Sequence, residues 1–169
     1  MDALQAIMSR RSIRKYEQRP VDPETVEKLL RAAMAAPSAG NQQTWRFIVV
    51  TERARLDRLS TTSPYAGMLE HAPLAIVVLG DTKNEKHPDY WVEDCSAAME
   101  NLLLAAHAIG LGAVWLGYHP NDDRKDRLRG EFELPDNIQP LGIASIGYPA
   151  EEKSPADRYN PDFVHTGTW

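Results

Sequence analysis

Five cationic side chains fall within ten residues near the start of the chain: Arg10, Arg11, Arg14, Lys15 and Arg19, with Ser12 among them. Guanidinium groups grip an oxyanion through planar, bidentate, charge-assisted hydrogen bonds, and a serine hydroxyl with adjacent backbone N–H groups completes such a shell. The cluster therefore fits a small phosphorylated ligand. The plainer alternative is a solvated basic turn that answers acidic residues elsewhere. A nucleic-acid face is not expected, because the chain is acidic, with 19 Lys+Arg against 24 Asp+Glu and a net charge of -5. It also lacks the extended basic surface with interleaved aromatics that such binding uses.

Other chemistries lack their residues. No G-x-G-x-x-G and no P-loop is present, so dinucleotide or triphosphate binding of the usual kinds is unsupported. The histidines, His71, His87, His107, His119 and His165, show no HExxH or other tight ligand spacing, and no G-x-S-x-G elbow supplies a serine nucleophile. Cys95 is the only cysteine, which excludes an internal disulfide and suits a reducing compartment. It lies in an apolar helical stripe, where a thiol packs as a small hydrophobe. Asp122-Asp123 and Glu151-Glu152 fall in charged surface stretches, where solvation is expected rather than acid–base work. If the protein is an enzyme, a bound cofactor carries its reactivity.

The elements that must position these residues are readable from period and caps. Asp2 caps a first helix with Leu4, Ile7 and Met8 at i, i+3, i+4 spacing, ending near Arg10. Asp22 and Pro23 open a second helix whose stripe is Val26, Leu29, Leu30 and Ala33, stopped at Pro37. Loop 37–44 leads into a strand, Trp45 to Thr51. Short helices follow at 53–60 and 65–71, then a buried strand, Leu74 to Gly80, and a polar stretch at 81–89. Tyr90 to Ile109 is the longest helical pattern, with Trp91, Cys95, Ala98, Leu102, Ala105 and Ile109 along one face and Met99, Leu103 and Ala106 beside it. A short strand (113–116), a charged helix (121–131) and a final strand (141–148) complete an α/β or α+β layer structure in one domain, 1–169.

The tail carries Tyr159, Phe163 and Trp169 and is too aromatic for a free end, so residues 150–169 are expected to form an arm packed on a second subunit. The apolar stretch 102–117 is too short to span a bilayer, which needs about 20 residues. The start MDALQAIMSRRS lacks the pattern of an export signal. A cytoplasmic protein without membrane contact is expected.

Arg10-Arg11-Ser12-Ile13-Arg14-Lys15-Tyr16, directly after the first helix, resembles the N-terminal phosphate motif of the FMN-dependent nitroreductase family. Three further segments fall in that family's order: Ala36 to Phe47 before the first strand, Asp94 through Asn101 to Gly112 in the central helix, and Leu141 to Pro149 at the last strand. The resemblance spans essentially the whole chain. It implies an α+β fold of α/β/α-like layers, with a central mixed sheet of about four to five strands flanked by helices, in a homodimer with FMN at the subunit interface.

By that resemblance Arg10, Arg11, Ser12 and Arg14 hold the FMN phosphate, joined by Arg158 from the C-terminal phosphate position, with Lys153 as a further candidate. Pro37, Ser38, Ala39 and Asn41 line the flavin from the opposite subunit, while Leu116 and Gly117 approach its reactive edge. A residue without a side chain suits that place, since its backbone can come close to the flavin N5. Ser38 and Asn41 also read as ordinary cap and turn residues, and Gly117 as a strand end. The resemblance implies that NAD(P)H reduces FMN and that the reduced flavin serves a small electrophilic acceptor, a nitroaromatic or quinone, in ping-pong order with no catalytic side chain. An FMN carrier or redox sensor is the alternative, as is another flavin chemistry on the same scaffold, namely flavin fragmentation, ene reduction or dehalogenation. A protein-binding α/β module is the bland one. Two departures from the family pattern are Glu100, where many relatives carry Gln, and the brief 81–90 segment, where larger members carry extra helices.

Overall fold

The computed structural model describes residues 1–83 and 85–169; Asn84, inside the expected polar stretch, lies outside the described residues. Strong local signals become elements with little change. Asp2 accepts from the backbone N–H of Gln5 at 2.8 Å and starts α1 (Ala3–Ser9). Asp22 caps α2 (Pro23–Met34) in the same way through Thr25, with Pro23 in its first turn. Asn121 caps α5 (Asp122–Phe132) through the N–H of Arg124.

The chain continues from α2 through a loop to β1 (Trp45–Val50), then α3 (Arg53–Ser60), β2 (Leu74–Asp81), α4 (Trp91–Ala108), β3 (Gly112–Gly117), α5 and β4 (Ile138–Gly147). The helix expected over 65–71 is only a short 3-10 turn, Gly67–Glu70.

Among the described residues, four strands form one sheet in the order β1-β2-β4-β3. Every strand pair is antiparallel. The parallel part of the expected mixed sheet is confined to a bridge between Ser12 and Ala113. Period-2 alternation sends β2 side chains to both faces. Leu74, Ile76 and Val78 pack against α2 and α4 through Leu29, Cys95, Met99 and Leu102. Ala75, Val77 and Leu79 pack with Leu56, Leu59, Leu69 and Leu128 on the other face. The result is the three-layer arrangement, with β2 buried along its length up to Gly80.

The stripe on α1 behaves differently from its expectation. Ala6 alone is buried, while Leu4, Ile7 and Met8 face outward at 75%, 54% and 66% exposure. The helical period is right, but within one chain α1 stands across an open apolar groove of about 330 Å³ from α4, lined by Ala3, Ala6 and Ile7 on one side and Leu104, Ala105 and Ala108 on the other. Ile109, expected on the buried face of α4, is likewise exposed. The arm after Glu151 leaves Tyr159, Phe163 and Trp169 exposed on the single chain.

Candidate functional site

The basic turn is laid along the free edge of β3. Ser12 bridges Ala113, the N–H of Ile13 donates to the Ala113 carbonyl at 3.0 Å, and Tyr16 bridges Pro149. Two inward side chains lock it. Ile13 is buried against Gly112, and the Tyr16 hydroxyl donates to the Ile13 and Ser145 carbonyls at 2.8 and 3.1 Å. With Ile13 and Tyr16 committed inward, Ser12, Arg14 and Lys15 are left for other surroundings.

Arg14 is exposed and borders a cavity of about 510 Å³ with Leu116 and Gly117. That size lies within the ~300–1,000 Å³ range of small-molecule sites. Pro64, Tyr65, Gly67, Met68, Trp115 and Arg124 complete the cavity's lining. A Cβ on Gly117 would meet no atom within 4 Å, so this strand end opens into free space. Its partner in the ladder, Gly142, is the reverse: a Cβ there would stand 2.5 Å from the Leu116 carbonyl oxygen and 2.7 Å from the Trp115 indole nitrogen. Gly142 lets the floor of the cavity lie flat.

The other expected phosphate ligands have different partners. Arg10 Nε stands 3.4 Å from Glu100 Oε1, so the departure from the family pattern at position 100 gives Arg10 a carboxylate neighbour. Arg11 donates to the carbonyls of Met8, Arg10, Ser154 and Ala156, which makes it a clamp between the turn and the arm. Lys153 Nζ donates to the Ser12 carbonyl at 2.6 Å and lies 3.4 Å from Glu151. Glu151 in turn accepts from the Arg14 N–H, and chiefly that bond holds its carboxyl below the ordinary glutamate range. Arg158 is exposed in the arm. Beneath this seam, His107 and Ser9 meet at 2.7 Å, and burial, with Arg10 and Arg11 nearby, favours the neutral imidazole.

Loop 37–44 is built by a buried carboxylate that sequence reading left without a role. Asp94, 3% exposed in the first turn of α4, accepts from the N–H of Ala39 at 2.8 Å, from Gln42 Nε2 at 2.9 Å and from the Thr44 hydroxyl at 3.2 Å. Ser38 Oγ accepts from the Gln43 N–H at 3.0 Å, and Asn41 Oδ1 from Gln43 Nε2 at 3.2 Å. Gly40, Asn41 and Gln43 have φ between 52° and 54°, a left-handed conformation that glycine and asparagine adopt most readily. Pro37, Ser38, Ala39 and Asn41 are thus held together, but before β1, at the opposite sheet edge from β3. Three strand spacings of about 4.8 Å separate the two edges, roughly 14 Å. One chain does not bring this loop to Arg14 and Gly117.

The cavity wall includes residues that the sequence reading passed over: Pro64, Tyr65, Gly67, Met68, Trp115 and Arg124. Arg124 lies in a charged helix and Tyr65 in a short irregular segment, so neither carries a periodic signal. Among the described residues, no group of three or more His, Cys, Asp or Glu side chains is placed to hold a metal ion. Among them also, no helix is long and apolar enough to cross a membrane.

An α+β layer fold with a cation-bordered cavity at the end of an edge strand is the frame of a family, and comparison with known proteins names it. The model of the Nitroreductase family matches residues 7–63 and 60–148. An Archaeoglobus fulgidus protein provisionally named NADH dehydrogenase/NAD(P)H nitroreductase is 48% identical over 172 residues, covering 99% of both chains. The solved structure of an FMN-dependent nitroreductase from Clostridium difficile superposes with a TM-score of 0.92 at 34% identity, covering 98% of this chain and 99% of that one. A provisionally named nitroreductase from Desulfovibrio desulfuricans, solved in complex with FMN, gives 0.86 at 30% identity over 100% and 99%. The chain belongs to the nitroreductase family.

Proposed function

We propose that the chain is a homodimeric, FMN-dependent oxidoreductase that takes a hydride from NAD(P)H and delivers it to a small electrophilic acceptor, a nitroaromatic or a quinone, in ping-pong order. One observation carries this reading: Arg14, Leu116 and Gly117, three residues that the family resemblance assigns to FMN, border the same 510 Å³ cavity. That cavity has the features the cofactor requires. A guanidinium with no carboxylate within ion-pair distance among the described residues can meet the phosphate, apolar Met68, Trp115 and Leu116 can meet the ring system, and open space faces Gly117.

FMN, when bound, supplies the hydride chemistry at its N5. The chain supplies position and electrostatics. Arg14 offsets the phosphate charge, Arg11 and Lys153 hold the turn and the arm in place behind it, and the Leu116–Gly117 backbone gives a floor without side-chain obstruction. Arg10, shared with Glu100, and Arg158, from the arm, are the further cations of the phosphate site.

What one chain leaves undone supports the homodimer. Loop 37–44 is pre-formed by Asp94 at the edge opposite Arg14, and a second copy can bring it to the cavity. Leu4, Ile7 and Met8 on α1, Ile109 on α4 and the aromatic residues of the arm are exposed apolar surface that a partner subunit would cover. The purified protein should carry about one FMN per chain, identified by chromatography of the released flavin. Reciprocal plots of NADH oxidation with a quinone acceptor should be parallel lines. A flavin-free protein that takes up no FMN would refute the assignment.

A further inference from the structure

We propose that Arg124 is an anchor for an oxyanion on the second small molecule that enters the cavity, and so a specificity-determining residue of the site. The inference rests on the flavin reading above and concerns a residue that reading does not use. Arg14 and Arg124 are both cavity-lining guanidinium groups, and among the described residues neither has a carboxylate within ion-pair distance. A single phosphate needs only one end of such a site. The bridge of Ser12 to Ala113 puts Arg14 near the level of Trp115. Gly117 is two residues further along, roughly 7 Å at about 3.3 Å per residue.

Arg124 stands at that far end. Its Nη1 lies 3.4 Å from the Gly117 carbonyl oxygen, and its guanidinium carbon is 5.0 Å from the centroid of the Tyr65 ring. The Asn121 cap fixes the helical turn from which it projects. Contact with an aromatic face holds the guanidinium plane while leaving N–H donors for a bidentate acceptor. Tyr65 is itself 65% exposed beside it. The chemistry recognised is therefore a carboxylate or phosphate on a molecule whose planar part reaches the Gly117 end of the cavity. Two carriers have that chemistry: the diphosphate of the nicotinamide donor and the carboxylate of an aromatic acceptor.

Anaerobic stopped-flow on the flavin-loaded dimer separates them. The reductive half-reaction compares NADH with 1-benzyl-1,4-dihydronicotinamide, which has the same ring and no phosphate. The oxidative half-reaction compares 4-nitrobenzoate with 4-nitrobenzamide. In Arg124→Gln, the ratio of charged to uncharged second-order rate constants should fall about tenfold or more in one of the two half-reactions, as expected for a lost charge-assisted hydrogen bond. The half-reaction in which it falls identifies the carrier. Arg124→Lys, which keeps the charge and loses the fork, should show a smaller fall. Equal ratios in wild type and Arg124→Gln in both half-reactions, at equal FMN content, would overturn the anchor and leave the flavin reading standing. A wild-type protein that neither holds FMN nor is reduced by either donor would overturn the flavin reading, and the anchor with it.

Discussion

The backbone N–H of Arg14 donates to Glu151 Oε1 at 2.6 Å, joining the turn after α1 to the base of the C-terminal arm across 137 residues of sequence. With Lys153 on the Ser12 carbonyl and Arg11 on the Ser154 and Ala156 carbonyls, this makes a seam between the two ends of the chain. The Arg14 guanidinium is then aimed by its backbone, while Arg11 is occupied in the seam.

The two arginines should therefore separate in mutagenesis. Arg14→Ala should weaken FMN binding about 10–100-fold, the value of a charge-assisted bond of roughly 1.5–3 kcal/mol, with little change in Tm. Arg11→Ala should loosen the arm, lower Tm and raise the proteolytic sensitivity of residues 151–169. Flavin fluorescence titration and limited proteolysis on both variants check the division. Equal flavin retention in wild type and Arg14→Ala would refute the phosphate assignment.

Glu151 gives the seam a pH dependence. Its bond from the Arg14 N–H, with Lys153 beside it, lowers the folded-state pKa below the ordinary glutamate value of 4.5. The ionised form is thus favoured by folding, so its stabilising contribution is present above pH 4.5 and is lost as pH falls through the lowered folded value. Thermal unfolding of wild type and Glu151→Gln should differ most at neutral pH, and the difference should close below pH 4.5. A gap independent of pH would contradict this account of the bond.

Asp94 should be costly to remove. Asp94→Ala leaves the Ala39 N–H, the Gln42 amide and the Thr44 hydroxyl without their acceptor, and buried or partly buried donors left unpaired cost about 1–3 kcal/mol each. Urea unfolding should show a loss of roughly 3 kcal/mol or more. Asp94→Asn, which keeps the shape and part of the acceptor set, should lose less. Loop 37–44 should become protease-sensitive in Asp94→Ala.

At Gly142 the added Cβ would press on backbone that cannot move aside. Gly142→Ala should displace Leu116 and Gly117, costing about 1–3 kcal/mol by overpacking. It should weaken FMN more than its loss of stability accounts for. A variant with native flavin affinity would show that the cavity floor tolerates the shift.

Most of the framework was legible because it is locally encoded. Asp2, Asp22 with Pro23, and Asn121 are caps whose bonds span three residues, and the alternation along β2 needs only the period of a strand. The exposed face of α1 was not legible, since Leu4, Ile7 and Met8 have a core-like spacing whether one chain or a second copy covers them. Arg11 and Arg14 have the same side chain three residues apart, and only the path of the arm distinguishes clamp from cavity cation. Asp94 sits in an apolar helical stripe, and its donors come from a loop fifty or more residues earlier. Tyr65 and Arg124 meet through the packing of α5 beside the end of β3, a relation with no local sequence signal.

The most direct test of the central claim is the visible absorption spectrum of the freshly purified protein, followed by anaerobic addition of NADH or NADPH. The account requires a yellow protein with bound oxidised flavin whose visible band bleaches with either nucleotide and returns on addition of a quinone. A protein that is colourless and takes up no added FMN would contradict the assignment of Arg14, Leu116 and Gly117, and a flavin that neither nucleotide bleaches would contradict the oxidoreductase activity.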